Sequence, residues 1–173
     1  MITPGYAATM AAYNSEMNRR VYGAALRLTD EQRRAEGGAF WHSIHGTLNH
    51  LLWVDRVWLS RFGVGERPSV PMSSSDRLVA DFDDLWTQRQ SFDDAIIGWA
   101  NHLVAEDLDG DLAWVSGGTG RPMVKPKALC VIHLFNHQTH HRGQAHALIT
   151  RAGEAIGDTD LPWVVDHQNI KLT

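Results

Sequence analysis

A single cysteine, Cys130, in 173 residues excludes a disulfide framework and any cysteine-based zinc site. Positive charge is not in excess either: 16 Lys and Arg stand against 20 Asp and Glu, a formal net charge of −4. The densest basic pairs, Arg19-Arg20 and Arg33-Arg34, sit among acids, so the electrostatic footprint of a nucleic-acid binder is missing. No apolar run approaches the roughly 20 residues that a membrane span needs. The opening MITPGYAATM lacks the basic start and apolar run of a secretory signal. These absences lead us to expect a cytoplasmic protein with no nucleic-acid and no membrane partner. Three catalytic signatures are also missing. There is no H-E-x-x-H, and no Glu-x-x-His pair of the kind that holds a di-iron centre. SGGTGR is not a P-loop, because no lysine and hydroxyl follow its glycines.

What is present is helical patterning in an ordinary globular composition, with 43% apolar residues. Thr3-Pro4 reads as an N-cap followed by proline at the first helical position. From there Tyr6, Met10, Tyr13, Met17, Val21, Ala24 and Leu28 recur at steps of three and four, the stripe of one long helix. Thr29 with Gln32 forms a capping box for a short extra helix that Gly37-Gly38 ends. Ser43 opens a third pattern through Ile44, Leu48, Leu51, Trp58 and Phe62, which Gly63 stops. The Gly-, Pro- and Ser-rich GVGERPSVPMSSS reads as a loop. A further stripe runs from Leu78 to Leu103, and LAWVSGGTGRPMVKP reads as a hairpin or ordered loop. The last long helix starts at Pro126 and runs to about Arg151. Four long amphipathic helices predict an all-α fold, a four-helix bundle forming one domain over 1–173, with the long loop and the hairpin as insertions.

The seams of such a bundle should be apolar, and two are not. The segment HLFNHQTHHRGQ carries His133, His137 and His141 four residues apart, on one helical face. A buried imidazole is costly unless it is hydrogen-bonded or ligated. Both i,i+4 pairs can offer two nitrogens to one ion, whereas His140 points about 100° away. A catalytic site of the zinc type takes about three protein ligands and one open position. The third ligand must come from another helix, and His50, among Trp53, Val54 and Val57, is the best candidate. His42 and His45 are weaker ones. His50 is also open to the reading of a hydrogen-bonded core histidine, and the whole set to that of a helical interaction protein. Asp55 and Arg89 interrupt apolar stripes and read as a structural ion pair, or as a pair of which one member reaches the site. Cys130 reads as a small buried hydrophobe. Asn136, Gln144 and Arg142 are polar candidates for orienting ligands or substrate, Arg142 as a structural or solvated residue first.

The segments TLNHLLWVDRVWLSRF and HLFNHQTHHRGQAHALI, with DTDLPWV near the end, resemble the DinB/YfiT-like proteins over nearly the whole chain. That resemblance implies an antiparallel four-helix bundle, usually a homodimer, with a divalent metal held by His50, His137 and His141. Zn²⁺ is the first expectation, with nickel and iron also accepting imidazole. His133 takes no family role and is left to packing beside the ligands. The family includes bacillithiol and mycothiol transferases, which implies a small-molecule thiol and an electrophile as partners. A metal-dependent hydrolase and a non-catalytic, metal-braced binding or stress-response protein are the alternatives.

Overall fold

The structure, a computed structural model, describes residues 1–165. Most of those residues are helical. The expected domain span of 1–173 extends beyond them.

Helix α1 (Pro4–Leu26) starts where Thr3 accepts a hydrogen bond from the Tyr6 amide. The five-residue α2 (Asp30–Arg34) has the full Thr29–Gln32 capping box and ends at Arg34, ahead of Gly37-Gly38. Ser43 caps α3 (Ile44–Arg61), α4 spans Phe82–His102, and α5 spans Lys127–Arg151. Gly63 and Gly153, both at positive φ, follow the ends of α3 and α5, where only a residue without a Cβ is unstrained. The hairpin before α5 is real: β1 (Asp111–Val115) pairs antiparallel with β2 (Pro122–Pro126), Ala113 opposite Val124. Several features differ from the sequence reading: α4 starts at Phe82 and not at Leu78, and a 3-10 turn at Ala105–Leu108 follows it. The end of the Ser-rich loop is a 3-10 helix, Met72–Arg77, and a one-turn helix α6 (Leu161–Val164) forms near the end. Among the described residues no helix is long and apolar enough to cross a membrane.

Each long helix packs mainly on two others: α1 on α4 and α5, and α3 on α5 and α4. Paired residues give the directions. Tyr6 meets Phe135 and Asn14 meets Arg142, so α1 and α5 run the same way. Asp55 meets Arg89 and Phe62 meets Trp99, so α3 and α4 are also parallel. Tyr22 with Trp86 and Asn18 with Asp93 make α1 and α4 antiparallel, as Trp58 with His133 and His50 with His141 make α3 and α5. Parallel neighbours cannot be joined by a short turn. The connection 62–81 therefore travels back along α3, a helix about 27 Å long at 1.5 Å per residue. On the way Val70 accepts from the Trp53 indole and the Val79 amide donates to Asn49.

The core consists of two apolar clusters separated by a charged layer. One cluster holds Met17, Tyr22, Leu48, Leu85 and Ile149; the other holds Ala11, Val57, Ile96, Leu134 and Phe135. Between them a hydrogen-bonded circuit passes through all four long helices. Arg142 donates to Asn14 and Gln138, Gln138 donates to Asp55, Arg89 donates to Asp55 at 2.7 Å, and Asp93 lies 2.8 Å from Arg89 and accepts from Asn18. Asp55 and Arg89 are thus the structural pair that the sequence suggested. Burial pushes Asp93 up to about 6 although Arg89 pulls it down. Burial opposes the Arg89 charge, but Asp93 and Asp55 outweigh it and raise its pKa.

Gly46, in the first turn of α3, is required by a close approach. A Cβ there would lie 2.4 Å from the Trp41 carbonyl oxygen, a backbone atom that cannot swing away. Alanine favours the helix by about 1 kcal/mol, yet the clash is larger. Gly46→Ala is expected to lose about 1–3 kcal/mol in urea unfolding. A gain in stability would show that the 41 backbone yields freely.

Candidate metal centre

The tight approach at Gly46 brings the Trp41 backbone against α3, and the Trp41 ring stacks on His50, centroids 4.1 Å apart. His50 faces α5, where His137 and His141 lie one turn apart. One ligand nitrogen from each of the three falls within 4.8 Å of the other two. The Nε2 atoms of His50 and His137 are 3.4 Å apart. Nitrogens of a tetrahedral ion, each about 2.0–2.1 Å from it, would be about 3.3 Å from each other, so the spacing fits a shared cation.

Neighbouring groups hold the other edges of the rings. His50 Nδ1 lies 2.8 Å from Ser75 Oγ, and His141 Nδ1 lies 2.7 Å from Gln144 Oε1. A carbonyl oxygen only accepts, so His141 carries its proton on Nδ1 and turns the Nε2 lone pair to the cluster. Ser75 allows the same tautomer at His50. Ring protonation would oppose ligation, and the surroundings prevent it. Burial, then the charges of His137 and His141, lowers His50 to about 2. Burial and His141 lower His137 to about 3, and burial lowers His141 despite the Gln144 bond. His137 Nδ1 is buried without a partner among the described residues. The donor set is thus neutral imidazole, which suits zinc, nickel or iron.

The three rings form the floor of a cavity of about 480 Å³. Its walls include Trp41, Trp53, Trp58 and Trp114, and none of the lining residues is Asp, Glu or Cys. Among the described residues the donor set therefore has no fourth protein ligand of those types at hand. A larger cavity of about 690 Å³ lies by Phe62, Trp99 and Leu112, but the histidine cluster is not part of it. The candidate metal ligands line the smaller one.

Other candidates fall elsewhere. His133 lines the cavity against Trp58 but stays outside the set of close nitrogens. His140 is exposed beside His141. His45 faces the Val79 carbonyl at 3.0 Å, and exposed His42 lies 3.2 Å from Glu36. Asn136 is exposed and outside the cavity lining, which removes it as a substrate-orienting group. Arg142 is buried in the charged layer, Gln144 orients His141, and Cys130 is buried. Ser75 was missed, since one serine in a run of three carries no signal of its partner 25 residues away. Ser75→Ala should weaken zinc binding about 10–100-fold, the usual cost of losing such a support. Competition titration against a chelating dye would measure it, and unchanged affinity would rule out Ser75 as the support of His50.

The fold and this site define a helical protein with a candidate three-histidine metal centre. The sequence matches the DinB family over residues 1–172, and the chain belongs to that family. Its fold is similar to the crystal structure of a DinB-like protein from Bacillus cereus, at 22% identity and a TM-score of 0.63, covering 84% of this chain and 90% of that one. No curated protein matches the sequence.

Proposed function

We propose that this protein is a metal-dependent enzyme that transfers a low-molecular-weight thiol to an electrophilic small molecule. One observation carries the reading: three neutral imidazoles from two helices converge in the lining of an aromatic cavity that, among the described residues, offers no acid or thiol as a fourth ligand. Such a site is open rather than closed, the mark of a catalytic rather than a bracing metal. We read the four long helices as the bundle of the family, with α3 supplying one ligand and α5 two.

His50, His137 and His141 would hold Zn²⁺, with nickel or iron as alternatives. A divalent ion held by neutral ligands keeps its full charge and lowers the pKa of a thiol that reaches it. Gln144 keeps His141 in the ligating tautomer and Ser75 permits it at His50, and the tryptophan walls limit the water near the reacting sulfur. In the transfer a carbon–sulfur bond forms while the leaving group departs with its electron pair. The thiol proton passes to solvent.

Metal content by plasma mass spectrometry, on protein purified without a tag or nickel column, tests the site. The wild type should carry about one equivalent after reconstitution, and His50→Ala and His137→Ala well under a tenth. Thiol consumption in the presence of a chloronitrobenzene then tests the reaction. Metal bound with no thiol consumed would sink the transferase reading and keep the site; no metal in any sample would sink both.

A further inference from the structure

We infer that the cavity recognises a carboxylate on its ligand through Arg61 and Arg67, at the side of the cavity formed by the end of α3 and the connection that follows it. This names the substrate class of the site proposed above, and it rests on that reading only for what binds at the other end.

The observation is a pair of cations on the cavity lining, one half-buried against tryptophan rings and one exposed, with no acid facing them among the described residues. Both guanidinium-bearing side chains line the cavity. Arg61 is half-buried, its guanidinium 4.3 Å from the Trp58 ring and 5.1 Å from that of Trp114. Arg67 is exposed and sits across the hairpin turn, where a Cβ on Gly117 would lie 3.4 Å from its Nη2. Among the described residues neither has a carboxylate within 4.0 Å, although seven other arginines do. Among the described residues the lining contributes no acid. Aromatic faces stabilise a cation but leave its fork of N–H donors unused. Burial, then the neighbouring Arg67 charge, lowers the Arg61 pKa to about 10, so it remains charged at neutral pH while the two cations repel. A planar carboxylate fills that gap better than water does, because it takes paired N–H bonds from an arginine. A ligand with an anionic end at the arginines and its reacting atom near the histidines also fits the volume, which is ordinary for a small-molecule site.

The carboxylate comes either with the thiol or with the electrophile, and calorimetry separates the two. Metal-free protein is titrated first with 3-phenylpropanoate and with 3-phenylpropanamide. The acid should bind about tenfold more tightly than the amide, as a charge-assisted pair requires, and Arg61→Gln and Arg67→Gln should each remove most of that preference. Arg67 is exposed, so its variant keeps the fold even if the other does not. Equal binding of acid and amide by the wild type, or a preference that survives both substitutions, would overturn the inference. Zinc-loaded protein is then titrated with mercaptosuccinate. If the thiol displaces phenylpropanoate, the carboxylate arrives with the thiol; if both bind together, the arginines serve the electrophile. The metal-free arm needs neither metal nor turnover, so its result stands apart from any failure of the transferase reading.

Discussion

Asp55→Ala is expected to cost about 3–5 kcal/mol of unfolding free energy, more than any substitution in the cavity. Asp55 and Arg89 are both fully buried, and the carboxylate takes one bond from Arg89 and one from Gln138. Removing it leaves a guanidinium in the protein interior with Asp93 as its remaining charged partner. An uncompensated buried charge is the costly outcome, whereas the intact pair is worth little over apolar packing. Arg89 also serves Asp93, so the triple substitution Asp55→Leu, Arg89→Met and Asp93→Asn, which leaves none of these charges buried without a partner, should recover much of what the single one loses. Urea unfolding of the three proteins measures both terms. A single variant within 1 kcal/mol of wild type would show that water reaches the layer and screens it.

Through His50, His137 and Asp93 alone, acid should destabilise the metal-free protein by about 2–3 kcal/mol between pH 7 and pH 5, and the lowered pKa values of His45, His133 and His141 add to the loss. His50 and His137, at about 2 and about 3 when folded, remain neutral throughout that range. Their unfolded counterparts, near 6.5, take up protons. A depressed histidine pKa gives stability that is complete above about pH 6.5 and declines as pH falls toward the folded value. Each ring contributes about 2 kcal/mol of loss by pH 5. Asp93 works against them: held at about 6 in the fold, it binds a proton before its unfolded form does and returns about 1 kcal/mol. Denaturant titrations in EDTA at both pH values give the difference. His137→Gln should be less pH-sensitive than wild type. A flat profile in wild type would mean that the rings are hydrated and already exchange protons in the folded state.

Much of the local structure was legible in the sequence because its causes are local. Thr3, Thr29 and Ser43 each have a helix start beside them and act as caps. The three histidines could be grouped because two lie one turn apart on one stripe and the third is out of place on another. The directions of the helices were not legible. Periodicity shows which face is buried, but carries nothing about whether the next helix runs up or down. For that reason 63–75 read as a loop and Leu78 as part of the next helix, when the whole of 62–81 is one connection that travels along α3 and carries Ser75 to His50 on the way. Asn14, Asn18 and Gln138 were missed because each is a polar residue whose partner lies on another helix, and a single stripe does not disclose that partner.

His137 and His141 are each followed by a member of the charged layer, Gln138 and Arg142, and His50 stands five positions before Asp55. Sliding α5 along α3 by one residue would break the Gln138–Asp55 contact in the same movement that pulls the imidazoles apart. The layer acts as a key cut to a single setting. The three nitrogens inherit their spacing from it, so an ion arriving from solution would meet a finished socket rather than assemble one.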